Sequence, residues 1–314
     1  MLNIRYLSYF MATAKHGSFT KAAVNVSISK SAIVRAVDLL EEDCGTRLFV
    51  RERAKGVRLT KDGEQLFQMC QSLFQDMRHL ESKMSDLGTV SGKLVLACIE
   101  SLAACIVPDL IMQTLKAYPN LEVTTLEAAP DKVMDLVREG EADVLINAQP
   151  IAVNATPPKW LEYKVLMKPL LCVTLSAQHP LAEKASVTLE DLLEYPMVLM
   201  STPYIAKLSL LYFKRIHRQP EIAVRTNTIE NLRALIGKGF GYGLTHFRPM
   251  VDTSFTGDKL VTRPVAGVEP GIEIIAGCTN RSEQWMPAKT RAFLTETRNY
   301  FSSSKCADYF LTPP

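Results

Sequence analysis

Apolar residues recur at helical spacing from the start of the chain. Leu7, Phe10, Met11 and Ala14 predict a helix over residues 3–15, closed by His16 and Gly17. Ser18 caps a short second helix through Val24. After the polar turn Asn25-Val26-Ser27, Ser29 caps a third helix that runs to about Cys44, with Gly45 as its stop. In that third helix Ile33, Ala36, Val37 and Leu40 form the inward face, which leaves Lys30, Ser31, Val34, Arg35 and Asp38 outward. The pattern then shortens. Arg47-Leu48-Phe49-Val50-Arg51 and Val57-Arg58-Leu59 flank a turn at Lys55-Gly56, which predicts two short strands. Two short helices around a tight turn, followed by a two-stranded wing, make a winged helix-turn-helix over residues 1–61.

Beyond the wing, Leu66, Cys70, Leu73, Met77, Leu80, Met84 and Leu87 are spaced 4, 3, 4, 3, 4, 3, an unbroken heptad seam with polar residues such as Gln68, Gln71, Asp76 and Lys83 between. It predicts one long linker helix over 62–88 that pairs with a copy of itself, so the chain is expected to act as a homodimer or homotetramer. Ser91-Gly92 breaks the helix. From Lys93 strands and helices alternate: Lys93–Ile99, Ile106–Ala117, Leu121–Leu126, Lys132–Glu139, Ala142–Asn147, then a second set from Leu170 to His246, and finally Ile272–Ala276 and Ala288–Phe301. Alternation of this kind predicts a parallel sheet flanked by helices. Two such units with a late return segment imply a C-terminal domain over 92–314 of two lobes, one from 92–166 and 266–301, the other from 167–265. The expected fold is α+β overall. The tail Ser302–Pro314 reads as loosely ordered, with Tyr309, Phe310 and Leu311 able to dock.

Charge sharpens the picture. The first 61 residues hold eleven Lys or Arg against five acids, a net of +6, while the whole chain carries only +3, so the remaining 253 residues carry −3. A basic character concentrated in one helix-turn-helix module is the footprint of a nucleic-acid-binding head. A recognition helix reads base edges in the major groove through its N-terminal part, which nominates Ser29, Lys30, Ser31, Val34 and Arg35, with Val34 set against a thymine methyl. Arg51, Arg53, Lys55 and Arg58 of the wing are placed for phosphates or the minor groove.

Composition narrows what else the chain does. With 47% hydrophobic and 22% charged residues it has the make-up of a globular protein. No apolar run approaches the roughly 18 residues of a membrane span, and the best candidate, Leu94 to Val107, is interrupted by Glu100. The N-terminus lacks a signal-peptide pattern, so a cytoplasmic location is expected and no membrane partner. No GxSxG, HExxH or phosphate-loop motif is present, and seven cysteines and five histidines are scattered without metal-ligand spacing. The chain is therefore expected to be no enzyme and to need no cofactor or metal. The glycine run Gly237 to Gly243 leaves a helix and enters a strand, the reverse of a phosphate-cradling loop, and is read as close backbone turning.

The run Tyr9-Phe10, Gly17-Ser18-Phe19-Thr20-Lys21-Ala22-Ala23, then Ser29, Ala32, Arg35, Leu40-Glu41, Arg47-Leu48-Phe49, Arg58-Leu59-Thr60 and Gly63 resembles the head of LysR-type transcriptional regulators. That family usually has Gln-Pro where this chain has Lys30-Ser31, and Ser where it has Val34; these are outer-face positions, so the departures bear on which operator is read and not on the fold. His179-Pro180-Leu181-Ala182, Leu189-Glu190-Asp191-Leu192 and Gly237 through Gly243 resemble the family's effector domain, whose fold is that of periplasmic solute-binding proteins. The resemblance implies binding of double-stranded DNA, dimerisation through the linker and a small-molecule effector in the cleft. Ligands in such folds sit beyond the carboxyl ends of strands, near helix N-termini. This nominates Ser101, Gln149, Ser201, Thr202 and His246. Helix N-termini and hydroxyls suggest a carboxylate or other anion, while Leu102, Pro150 and Phe247 equally suit an apolar group. A rival reading is a redox-sensing regulator using Cys98 or Cys105.

Overall fold

Side-chain caps begin each of the first three helices. Asn3 accepts a hydrogen bond from the Arg5 N–H to start α1 (Ile4–His16), Ser18 accepts from Lys21 to start α2 (Phe19–Asn25), and Ser29 accepts from Ala32 at 3.2 Å to start α3 (Lys30–Cys44). Gly17 and Gly45 end α1 and α3 in the left-handed region, at φ 59° and 67°. The wing follows as β1 (Phe49–Glu52) and β2 (Gly56–Leu59), antiparallel with Phe49 opposite Leu59. Gly56, at φ 91°, is required there: a Cβ on it would lie 2.3 Å from the Gly17 carbonyl oxygen, which accepts the Val57 N–H. These are features of a computed structural model that describes residues 3–52, 56–85, 90–151, 158–201, 203–280 and 286–310. The chain divides into two compact units, Met1–Glu81 and Ser82–Pro314.

The core of the first unit is Leu7, Phe10, Ile33, Val37, Leu40, Leu48 and Phe49. Each such side chain contributes roughly 1.5–3 kcal/mol on burial. Helix α4 (Lys61–Ser85) is 25 residues, about 37 Å long. Its predicted seam is divided. Cys70 is buried in the core of the winged unit and Leu66 packs against that core, together with Phe67 and Phe74. The outward apolar residues are instead Met69, Leu73 and Leu80. Met84 lies in the last turn and Leu87 outside the described residues.

In the second unit a five-stranded sheet has the order β4-β3-β5-β12-β6. Its strands are β3 (Gly92–Ile99), β4 (Leu121–Ala128), β5 (Val144–Pro150), β6 (Leu161–Met167) and β12 (Ile272–Thr279). Helices α5 (Glu100–Cys105), α6 (Val107–Ala117), α7 (Pro130–Arg138) and α11 (Ala288–Phe301) belong to the same part of the chain. A second set comprises β7 (Cys172–Ser176), α8 (Leu189–Leu192), β8 (Met197–Met200), α9 (Pro203–Arg215), β9 (Ile222–Thr226), α10 (Ile229–Gly237), β10 (Gly243–Thr245) and β11 (Leu260–Pro264). Here the sheets are β10-β7-β11 and β8-β9. The chain passes from one set to the other at 168–171 and 265–271, close to the lobe bounds expected at 166/167 and 265/266.

The parallel sheet expected from alternation is found at β4-β3-β5 and β8-β9, whereas β12 runs antiparallel to β5 and β6, and β7 antiparallel to β10 and β11. Antiparallel neighbours need no crossover helix, so helix-strand alternation does not report them. Strands β6 and β11 were not anticipated. β6 is an edge strand carrying Glu162 and Lys164, and β11 ends in Pro264, so neither reads as an apolar run. The tail is not loose over 302–310: α12 (Ser304–Ala307) follows α11, Cys306 and Phe310 are buried in the core that includes Phe293 and Tyr300, and the Tyr309 carbonyl accepts from the Arg248 N–H. Three serines mark the turn into α12 and conceal two strongly apolar anchors behind it. No described helix is long and apolar enough to cross a membrane.

Candidate functional sites

The head places its predicted readers on one short stretch of α3. Ser29 is spent on the cap, its hydroxyl bonding the Ala32 N–H and lying 3.1 Å from the Ser31 hydroxyl. Lys30, Ser31 and Arg35 are exposed, while Val34 is half-buried and packs against the core of the head, so it presents only part of its side chain outward. In the wing, Arg51 ion-pairs with Asp38 of α3 and stacks over the Phe19 ring at 5.2 Å. It thus ties wing to helix as well as facing outward. Arg58 is exposed on β2, and Arg53 and Lys55 lie outside the described residues.

Behind this surface, Glu41 fixes the wing. Its carboxylate accepts from the Leu48 N–H at 2.8 Å, the Phe49 N–H at 3.1 Å and the Arg47 guanidinium at 2.6 Å. Burial alone would raise its pKa, but the Arg47 hydrogen bond and the two backbone donors together hold it below the usual carboxylate range. Sequence reasoning used Glu41 only as a resemblance. Its position one turn before the end of α3 is what lets it reach back to β1.

The second unit holds a cavity of about 320 Å³. Its wall starts where strands end and helices begin: Ile99, Glu100, Ser101 and Leu102 from β3 into α5, Glu127 to Pro130 from β4 into α7, and Thr228 to Glu230 at the start of α10. Ala148 of β5, Ile272 and Ile274 of β12, Met200 of β8, Leu208 and Ser209 of α9, and Leu244 to Phe247 complete it, with Phe310 supplied by the tail. Of the predicted effector residues, Ser101 and His246 line the cavity. Gln149 does not: Ala148 faces in, so alternation along β5 turns Gln149 away, where its amide donates to Glu273 at 2.7 Å on the neighbouring strand. Ser201 is also off the wall, its hydroxyl donating to the Thr226 carbonyl and to Asn227 Oδ1 at 2.6 Å. Thr202 lies outside the described residues.

His246 Nε2 is 2.8 Å from the Tyr212 hydroxyl. Desolvation pushes its pKa down to about 4, so the ring is neutral near pH 7. The same burial pushes Tyr212 up to about 12. Two residues that sequence reasoning passed over, Glu127 and Glu230, stand on the cavity wall; the visible signal was their place at a strand end and in a first helical turn. The tail residue Phe310 left no signal beyond its apolar character. Gly241, at φ 125°, lies where a Cβ would come within 1.9 Å of the Pro196 carbonyl oxygen, in keeping with the glycine run as close backbone turning.

The thiols of the rival reading are unlike reactive ones. Cys98 is fully buried on β3 and burial pushes it up to about 12, and burial likewise raises half-buried Cys105. Among the described residues no group of His, Cys, Asp and Glu could hold a metal ion.

Comparison with known proteins accounts for both units. Residues 4–64 match the family model described as bacterial regulatory helix-turn-helix protein, lysR family, and residues 87–302 match the LysR substrate binding domain. The Bacillus subtilis HTH-type transcriptional regulator YtlI is 27% identical over 97% of this chain and 96% of its own length. The Escherichia coli Hca operon transcriptional activator HcaR is 25% identical over 87% of this chain and 90% of its own. The crystal structure of a putative LysR family transcriptional regulator from Pseudomonas aeruginosa superposes with a TM-score of 0.61 at 25% identity, covering 96% of this chain and all of that one.

Proposed function

Because the chain belongs to the LysR family of transcriptional regulators, with a DNA-binding head and an effector-binding domain, we propose that it works as a ligand-responsive switch at an operator of its own. Lys30 and Arg35 of α3 reach base edges or phosphates, Val34 offers a partial apolar contact, and Arg51 and Arg58 of the wing engage the flanking backbone. Two heads are needed for a two-fold operator, and the exposed apolar residues Met69, Leu73 and Leu80 of α4 supply the surface by which two copies pair. Four-copy assembly would build on that pair.

The observation that carries the reading is the coexistence of an exposed basic helix face in the first unit with a mainly apolar cavity at strand ends in the second. A small molecule in that cavity changes DNA binding only through its different affinity for two arrangements of the assembly. The burial of Cys98 and the raised thiols weigh against a redox trigger, and the absence of a nucleophile paired with a base among the cavity-lining residues weighs against catalysis. The test is retardation of the DNA upstream of the protein's own gene at moderate salt. Wild-type protein is expected to shift it and Arg35→Ala to weaken the shift; failure of the wild type to bind while its head is folded refutes the reading.

A further inference from the structure

The charge on the cavity wall names the class of effector. Three carboxylates line it, Glu100, Glu127 and Glu230, and no lysine or arginine does. Among the described residues none of the three has a hydrogen bond or ion pair that would neutralise it, although Glu230 lies near enough to Arg233 to favour that guanidinium electrostatically. Arg233 itself is turned to the Val251 and Thr253 carbonyls.

Helix N-termini usually argue for an anion at such a place. Three of the four helix starts on the wall carry their own acid in the first turn, Glu100 in α5, Asp131 in α7 and Glu230 in α10, while α9, which brings Ile205 to the wall, has none. The positive ends of α5, α7 and α10 are answered from within the protein. An anionic ligand would meet like charge from the Glu100, Glu127 and Glu230 carboxylates of the wall. The remaining wall is mainly apolar, from Leu102, Leu208, Leu244, Ile274 and Phe310, with the neutral polar residues Ser101, Ser209, Thr228 and Thr245, and its one imidazole is held by Tyr212. At about 320 Å³ the cavity sits at the small end of ligand sites, which run to roughly 1,000 Å³.

Resting on the reading of this cavity as the effector site, we propose that it takes a small ammonium-bearing ligand with an apolar body, the charged nitrogen set among Glu100, Glu127 and Glu230 and the body against Leu208, Ile274 and Phe310. An aliphatic or aryl-alkyl amine meets this description; its carboxylate isostere does not.

The test is calorimetric titration of the full chain with phenethylamine, tyramine, putrescine and cadaverine, each beside a carboxylate of matching shape such as 3-phenylpropionate or glutarate. At least one amine is expected to bind at least about tenfold more tightly than its matched carboxylate, and the combined Glu100→Gln, Glu127→Gln, Glu230→Gln substitution to remove that preference. These positions are exposed or half-buried, so the amide keeps the packing, and Glu230→Gln alone gives a milder second variant. No amine binding at millimolar concentration, or carboxylates binding more tightly than amines, overturns the proposal. Ala104→Trp, a bulky group on an exposed wall position, separates the two levels. If carboxylates bind and Ala104→Trp blocks them, the effector site stands and its charge class falls. If amines bind but neither Ala104→Trp nor the glutamine variants alters them, the cavity is not their site and both readings fall.

Discussion

Lys30 and Arg35 of the recognition surface stand on two turns of a single helix, whereas the cavity wall is gathered from Ile99 at one extreme to Phe310 at the other. The head can therefore be read and altered one side chain at a time, since its functional groups are exposed and its cap, core and wing contacts span no more than about 60 residues of chain. The cavity exists only when two sets of strands and a tail come together. Substitutions in the head should then divide into those that alter DNA binding and those that alter folding, while in the second unit the two effects should be harder to separate.

The largest expected break comes from the tail. Phe310 is 3% exposed, lies 6.3 Å from the Phe301 ring and also faces the cavity. Phe310→Ala should cost about 3–5 kcal/mol, the usual range for a large aromatic removed from a core. Calorimetric melting should show the loss in the transition of the second unit and leave that of the head in place. A head that melts earlier by the same amount would show that the two units do not unfold independently.

This residue also shows where the sequence was silent. The helix-turn-helix was legible almost to the residue, because Ser18, Ser29, Gly17 and Gly45 are local stop and start signals that act within one turn of chain. The alternation of strands and helices in the second unit was equally visible. The partners of β6, β11 and Phe310 were not, since nothing within a few residues of them records which distant strand or core they meet. Ser101 and His246 were found from strand ends, but Gln149 was placed one residue out of phase with the pleat, and the side of a strand is set by its neighbours in the sheet.

Next in size is Glu41. Its removal leaves the buried Leu48 and Phe49 N–H groups without acceptors, so Glu41→Ala should cost about 2–3 kcal/mol and confine that loss to the head. The folded-state pKa is lowered, so this contribution is present above the ordinary carboxylate value of 4.5 and disappears as pH falls through the lower folded value. Head stability followed by denaturant titration from pH 7 to pH 3 should decline in the wild type and more shallowly in the variant. Parallel curves would remove Glu41 as the source.

In the second unit His246 supplies the counterpart, with an effect of similar size. Its pKa is lowered from 6.5 to about 4, so between those values the unfolded chain binds a proton that the folded one refuses. Stability from this group is therefore complete above about pH 6.5 and falls as the solution is acidified towards 4, by on the order of 3 kcal/mol. Replacing His246 with Gln should flatten the slope between pH 6.5 and 4 in the second unit alone. An unchanged slope would mean that the ring titrates as it does in water.

The smallest change sharpens the contrast most. Ser29 heads the recognition helix, and its hydroxyl accepts the Ala32 N–H at 3.2 Å on an exposed turn. Ser29→Ala should destabilise the head by about 1 kcal/mol, the ordinary value of an N-cap. If the hydroxyl serves only the helix, affinity for operator DNA at low temperature, where the head remains folded, should be unchanged and the salt dependence of binding the same. If Ser29 also touches the DNA backbone, affinity drops at every temperature while the salt slope stays constant, because a neutral hydroxyl displaces no counterion. Arg35→Ala in the same assay gives the other limit, a slope reduced by about one for a phosphate contact, or a loss of about 1–3 kcal/mol confined to the cognate sequence for a base contact. Together the two variants assign neighbouring positions of one helix to folding, backbone positioning or base reading, a separation the apolar part of the cavity wall does not permit because residues such as Leu102, Leu244, Ile274 and Phe310 also belong to the core.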